Sequence, residues 1–289
     1  MIKKFWNITL FHYTLFSLPM TLMGGIIPFA DEAFRANYTG AEWFKWIWMV
    51  LAVITVRNLA MSLNRVLDAE IDAKNPRTKD RALPQGLITK QEVWLFTFLN
   101  LIAFIFICGQ INKLCLLLSP VIIILIIVYS YSKRFTAARH FILGAVHFFG
   151  PICGWIAVTE TWSLIPICVG TANWMWITGK DILYSLQDEL FQQREKLHGL
   201  PVLLGAKKSI IVARITHMLA VALLIVAGYL SNLNGAYYLG VSLAAAILLY
   251  QHKLVKPFES QKVPELFFKI DVWFPISLFV FTFIAIFFS

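Results

Sequence analysis

Residues 114–132 read LCLLLSPVIIILIIVYSYS, an unbroken run without a charge. As a helix rising 1.5 Å per residue, it covers the ~30 Å hydrocarbon core of a bilayer. A helix also satisfies its own backbone groups there. Working outward, eight more apolar runs occupy residues 8–30, 43–63, 93–111, 141–158, 162–180, 209–230, 235–251 and 270–288. Nine helices of about 20 residues would use about 180 residues, close to the apolar share of the chain. Of the 289 residues 59% are hydrophobic and 14% charged, against roughly 25% charged in a soluble domain, and the mean hydropathy is +0.71. A disordered chain, a collagen, a disulfide-stapled secreted domain and a nucleic-acid-binding domain are excluded. The expectation is an all-α polytopic membrane protein, a bundle of about nine transmembrane helices. It is read as two four-helix-like halves plus one, forming a single integral-membrane domain over residues 1–289.

The loops give an orientation. Of the 25 Lys and Arg residues, all but Arg35, Lys45 and Lys113 fall at the N-terminus or in the loops after the second, fourth, sixth and eighth runs, counting residues near a span's end with the adjoining loop. Short loops rich in Lys and Arg stay on the cytoplasmic side. This places the N-terminus and the long loops in the cytoplasm of a multi-pass inner-membrane protein, and it makes the net charge of +9 a topology signal. Lys3 and Lys4 resemble the start of a signal peptide, but no small-residue cleavage site follows, so residues 8–30 read as the first span. Pro19, Pro120 and Pro275 mark kinks that packed membrane helices tolerate. Trp43, Trp46 and Trp48 cluster near a span end, as an interfacial aromatic belt does. Cys108, Cys115, Cys153 and Cys168 lie in apolar runs and form no CxxC pair, so they read as small hydrophobes.

Two polar stretches carry the chemistry. Asn64, Asp68 and Asp72 are spaced by four and share one helical face, with Arg57 two turns earlier on that face. Ionisable groups at such depth are costly and usually functional. Four spans later Asp181, Tyr184 and Asp188 form a second stripe. Two Asp-rich stripes facing each other across a bundle would make a hard-oxygen site suited to Mg2+, which keeps waters and shares substrate phosphates. The loop after the first stripe, Asn75-Pro-Arg77-Thr-Lys79-Asp-Arg81, adds guanidinium groups that match phosphate oxygens. The six histidines form no metal-ligand motif, and each reads as a hydrogen-bonded core or interface residue.

With NxxxDxxxD, RTxxR and DxxYxxxD in this order, and Tyr129-Ser-Tyr-Ser-Lys133 at the end of the fourth span, the chain resembles the UbiA superfamily of intramembrane aromatic prenyltransferases over nearly its whole length. The resemblance implies transfer of a polyprenyl group from an allylic polyprenyl pyrophosphate to an aromatic acceptor in quinone biosynthesis. It implies Mg2+ at Asp68, Asp72 and Asp188, with Asn64 and Asp181 assisting. Arg57, Arg77, Arg81 and Lys133 would neutralise phosphate, and Tyr129 and Tyr184 would face the allylic cation. The 4-hydroxybenzoate group resembles it most; a dihydroxynaphthoate acceptor of menaquinone biosynthesis is the alternative. Two positions depart from the family pattern: Arg65 stands where many members have Asp, and Gln192 where many have a further acid. On a continuous helix Gln192 would extend the second stripe and offer its amide oxygen to a metal. A transporter or channel is the reading from another class. No nucleic acid or obligate protein partner is expected beyond the bilayer and the two substrates.

Overall fold

The computed structural model describes residues 14–255 and 269–288. Lys3, Lys4 and the first part of the first expected span lie outside them. Every described element is helical, and no strand occurs among the described residues. Six helices are long and apolar enough to cross a membrane: Phe44–Leu67, Lys90–Ile111, Lys113–Ser132, Arg139–Thr159, Leu200–Leu230 and Lys269–Phe287. Among the described residues the count of about nine is not confirmed on that measure, although the described part of each other expected span is also helical. The described part of the first is α1 (Thr14–Ile26), closed by a 3-10 turn over Ile27–Ala30. The sixth, Leu164–Ser185, and the eighth, Gly235–Leu254, carry polar groups such as Asn173, Lys180, Asp181 and Gln251 that dilute their hydropathy.

The chain resolves into two compact units. The first covers residues 44–131 and holds α3 (Phe44–Leu67), α4 (Ala69–Lys74), α5 (Lys90–Ile111) and most of α6 (Lys113–Ser132), the short α2 (Glu32–Asn37) having come before it in the chain. Its helices begin where the sequence supplies caps. Thr89 and Glu92 form a capping box at the start of α5, each side chain bonding the other's backbone N–H. Asn112 Oδ1 accepts the Cys115 N–H at 2.8 Å and opens α6. Helices α3 and α5 pack together, and Thr97 Oγ1 donates to Ser62 Oγ at 2.8 Å in their buried seam. Leu95, Phe98, Leu99, Phe106, Leu117 and Ile124 are all more than half exposed, an outward apolar face suited to lipid.

The second unit covers residues 15–43 and the chain from 132 onward. It holds α7 (Arg139–Thr159), α8 (Leu164–Ser185), a 3-10 turn over Leu186–Asp188, α9 (Glu189–Arg194), α10 (Leu200–Leu230), α11 (Gly235–Leu254) and α12 (Trp273–Phe287). The first expected span therefore packs with the later helices rather than with its sequence neighbours, so the units do not follow two four-helix halves plus one. Helix α8 lies between α7 and α10, and α11 packs on α12. Glycine sets these distances. A Cβ on Gly24 or Gly154 would overlap the backbone of Pro151 or Thr21, which lets α1 and α7 approach backbone to backbone. Gly205, at φ 75°, interrupts α10 near its start, so five residues precede the break and the long apolar stretch follows it.

Candidate active site

In the first unit, helix α3 ends at Leu67 and α4 starts at Ala69, with Asp68 at the joint. The stripe nevertheless keeps its register. The Asp68 N–H donates to Asn64 O at 3.0 Å, and the Asp72 N–H donates to Asp68 O at 2.7 Å. Asp68 and Asp72 are buried, at 2% and 6% exposure, a costly place for carboxylates without partners. Asp72 Oδ2 lies 2.6 Å from Arg81 Nη1 and 3.7 Å from Arg65 Nη1. Arg65, the departure from the family pattern, is thus itself part of the stripe's electrostatics. The 75–81 loop is folded back on the stripe: Thr78 Oγ1 donates to the Asp72 carbonyl at 2.9 Å, and Asn75 Oδ1 accepts the Arg77 N–H at 2.9 Å. Arg77 is left exposed on this loop, with Arg57 and Asn64 half-buried along α3. Tyr129 is half-buried in the last turn of α6.

In the second unit, α8 carries Asp181 and Tyr184, and Asp188 closes the 3-10 turn that follows. Asp181 Oδ2 lies 2.6 Å from His140 Nδ1. Tyr184 packs against the buried cluster of Ile182, Leu183, Leu186, Leu200 and Ile210. Asp188 is buried and stands at the N-cap of α9, but its side chain makes no capping bond. Lys133 is half-buried, and its carbonyl accepts the His198 N–H at 2.7 Å.

The extension of this stripe to Gln192 is corrected. The 3-10 turn has three residues per turn, so Asp188 and Gln192, one α-helical turn apart, shift together relative to Asp181 and Tyr184. Gln192 is buried, and its Oε1 points at Gly199, where an added Cβ would stand 2.8 Å away. The sequence reading took His140 as a hydrogen-bonded core residue, which it is, but missed its partner Asp181, and it underrated Arg65 and Thr78. An acid residue 41 positions away from a histidine leaves no spacing signal.

Among the described residues no three His, Cys, Asp or Glu side chains form a metal-holding group. The first stripe instead brings two buried carboxylates, and the second brings buried Asp188 and half-buried Asp181, hard donors of the kind Mg2+ takes when phosphate and water complete its shell. The residues fit the implied ion.

These observations define an integral-membrane protein whose acidic and cationic side chains sit at helix ends. Residues 18–287 match the sequence model of the UbiA prenyltransferase family, and the chain belongs to that family. It is therefore a prenyltransferase, and the transporter reading falls. It is 28% identical to the 4-hydroxybenzoate octaprenyltransferase of Aliivibrio fischeri (strain MJ11) over 88% of this chain and 86% of that one. To the protein of that name from Salmonella paratyphi C it is 30% identical, over 73% of each chain. Among solved structures, the apo structure of a UbiA homolog from Aeropyrum pernix K1 superposes with a TM-score of 0.82 at 26% identity, covering 95% of this chain and 98% of that one. A UbiA homolog from Archaeoglobus fulgidus bound to GPP and Mg2+ shares the fold, with a TM-score of 0.73 at 17% identity over 98% and 99% of the chains.

Proposed function

We propose that this protein transfers a polyprenyl group from an allylic polyprenyl pyrophosphate to an aromatic acid of the 4-hydroxybenzoate type in quinone biosynthesis. The observation that carries the reading is the first stripe, where two buried carboxylates lie beside a folded cationic loop and Arg81 reaches Asp72. The names of the relatives support the acceptor class, and the fold neighbour holding GPP and Mg2+ supports the donor and the ion. In this reading Asp68, Asp72 and Asp188 would hold Mg2+, with Asn64 and Asp181 beside them. When bound, Mg2+ supplies positive charge to the leaving pyrophosphate.

Arg57, Arg77, Arg81 and Lys133 bind the remaining phosphate oxygens. The allylic C–O bond breaks, its electron pair leaves on pyrophosphate, and the acceptor ring forms the new C–C bond and then gives up its ring proton. Tyr129 and Tyr184 offer ring faces to the transient cation. An apolar surround keeps water from quenching it. The polyprenyl tail needs hydrocarbon throughout, which explains a site built at the ends of membrane helices. The N-terminus and both stripes lie on the cytoplasmic side of the inner membrane, where the pyrophosphate arrives.

A dihydroxynaphthoate of menaquinone biosynthesis is the second reading, because the Asn64-Arg65 pair, in place of Asn-Asp, resembles members that act on such an acceptor; Arg65 itself lies 3.7 Å from Asp72. The test uses washed membranes with polyprenyl pyrophosphate, Mg2+ and a panel of 4-hydroxybenzoate, 1,4-dihydroxy-2-naphthoate and 1,4-dihydroxy-6-naphthoate, read by product mass. A prenylated benzoate confirms the first reading and a prenylated naphthoate the second. No product from any of the three overturns both.

The loop cations separate from topology cations in the same assay. Arg77→Ala and Arg81→Ala each remove a charge-assisted hydrogen bond worth ~1.5–3 kcal/mol. Each should raise the KM for the prenyl pyrophosphate about tenfold or more, while Lys253→Ala, on the exposed last turn of α11, should leave it unchanged. Equal shifts at all three positions would mean that loop charge acts only through the overall field.

A further inference from the structure

His140 is fully buried at the start of α7, and its ring joins two parts of the second unit. Nδ1 lies 2.6 Å from Asp181 Oδ2 on α8, and Nε2 lies 3.2 Å from the backbone nitrogen of Leu200, the first residue of α10. The Leu200 N–H can only donate, so Nε2 accepts and the ring proton sits on Nδ1, donating to Asp181. The ring is held in place from its own backbone as well: Thr178 Oγ1 donates to the His140 carbonyl at 3.3 Å, and Trp174 Nε1 donates to the Phe141 carbonyl at 2.8 Å.

The 195–200 loop closes over the same place. The Leu197 N–H bonds Gln192 O at 2.8 Å, and the His198 N–H bonds Lys133 O at 2.7 Å. Lys196 turns the chain at φ 53°, and Gly199 has no Cβ to push aside Gln192 Oε1 or approach His140 Nε2. Gln192 therefore sits on the loop side of His140. An acid there would put a second negative charge into this buried corner.

We propose that His140 is a positioning residue for prenyl transfer: it fixes the rotamer of Asp181 through Nδ1–H and latches the 195–200 loop through Nε2. Asp181 keeps its other oxygen for the substrate end of the stripe. Carboxylates at metal-phosphate sites depend on such outer partners for their orientation. The inference rests on the second stripe being part of the pyrophosphate site.

The two arms can be cut one at a time. In His140→Asn the amide nitrogen takes the place of Nδ1, so the Asp181 arm survives and the loop arm is lost. In His140→Gln the amide oxygen takes the place of Nε2, so the loop arm survives and the Asp181 arm is lost. Leu200→Pro deletes the loop arm's donor without touching His140, at a first helical position where proline is favoured. Three readouts are taken on purified, folded protein: kcat/KM for prenyl transfer, thermal stabilisation by geranyl pyrophosphate with Mg2+, and trypsin cleavage at Arg194 and Lys196.

His140→Gln should lose at least about tenfold in kcat/KM and most of the ligand-induced stabilisation, with the loop still protected. His140→Asn and Leu200→Pro should stay within about threefold of wild type in both, with the loop cut faster. A Gln variant as efficient and as stabilised as wild type, or Asn and Leu200→Pro variants as impaired as Gln, overturns the proposal. A wild-type protein that is stabilised by geranyl pyrophosphate but transfers no prenyl group counts against the functional reading alone, because the stabilisation still scores the Asp181 arm.

Discussion

If Asp68 and Asp72 hold Mg2+ as proposed, Asp68→Asn and Asp72→Asn are each expected to lower prenyl transfer at least ~100-fold, because the ion would supply several kcal/mol of charge stabilisation to the leaving group. Neither change should alter membrane insertion, since acids contribute little to orientation. The two variants should differ in a second respect. Asp72 partners Arg81 at 2.6 Å and Arg65 at 3.7 Å, so its loss also releases two cations and loosens the 75–81 loop. Asp72→Asn should therefore raise the KM for the prenyl pyrophosphate as well as lower kcat, whereas Asp68→Asn should act mainly on kcat. The check is steady-state kinetics in membranes with Mg2+ as the sole divalent ion. Near-wild-type turnover in both variants would remove the first stripe from the mechanism.

The helices and the first stripe were legible in the sequence because both are local. A run such as 114–132 declares a membrane helix by hydropathy alone, and a spacing of four survives even the joint at Asp68, where the backbone bonds from Asp68 to Asn64 and from Asp72 to Asp68 carry the register across. The caps at Thr89 and Asn112 are equally local. The second stripe was legible only as far as Ser185. Nothing in Leu186-Gln-Asp188 announces a 3-10 turn, and that single turn shifts Asp188 and Gln192 together relative to Asp181 and Tyr184. Partnerships across distant segments left no local trace: His140 with Asp181, Gly154 against Thr21, or the first helix packing with the later ones. The helix at Leu164–Ser185 shows the other limit of hydropathy. Its polar residues, Asn173, Lys180 and Asp181 among them, are the reason it is less apolar than its neighbours.

The second large effect concerns stability, one residue before Asp181. Lys180 Nζ lies 2.5 Å from Asp271 Oδ2, and Asp271 is fully buried. Gln251 Nε2 donates to the other Asp271 oxygen at 2.8 Å, and the Lys180 ammonium also stands 3.4 Å over the Phe16 ring. Trp176, one turn back on α8, stacks on Phe274 of α12 with 4.4 Å between ring centroids. The pair thus ties the helix that carries the second stripe to α1, α11 and the last helix. Removing one member of a buried ion pair leaves the other charge uncompensated, at a cost of about 3–5 kcal/mol, whereas replacing both with apolar groups of similar volume is often neutral. Lys180→Met and Asp271→Leu should each lower the thermal midpoint in detergent strongly, and the double variant should recover most of the loss. Its turnover separates two roles for the pair. Recovery of both stability and prenyl transfer would make the ion pair a device for packing, replaceable by apolar contact. Recovery of stability with transfer still low would mean that the Lys180 charge, next to Asp181, also sets the potential of the second stripe. Singles no less stable than wild type would show that the pair does not hold these helices together.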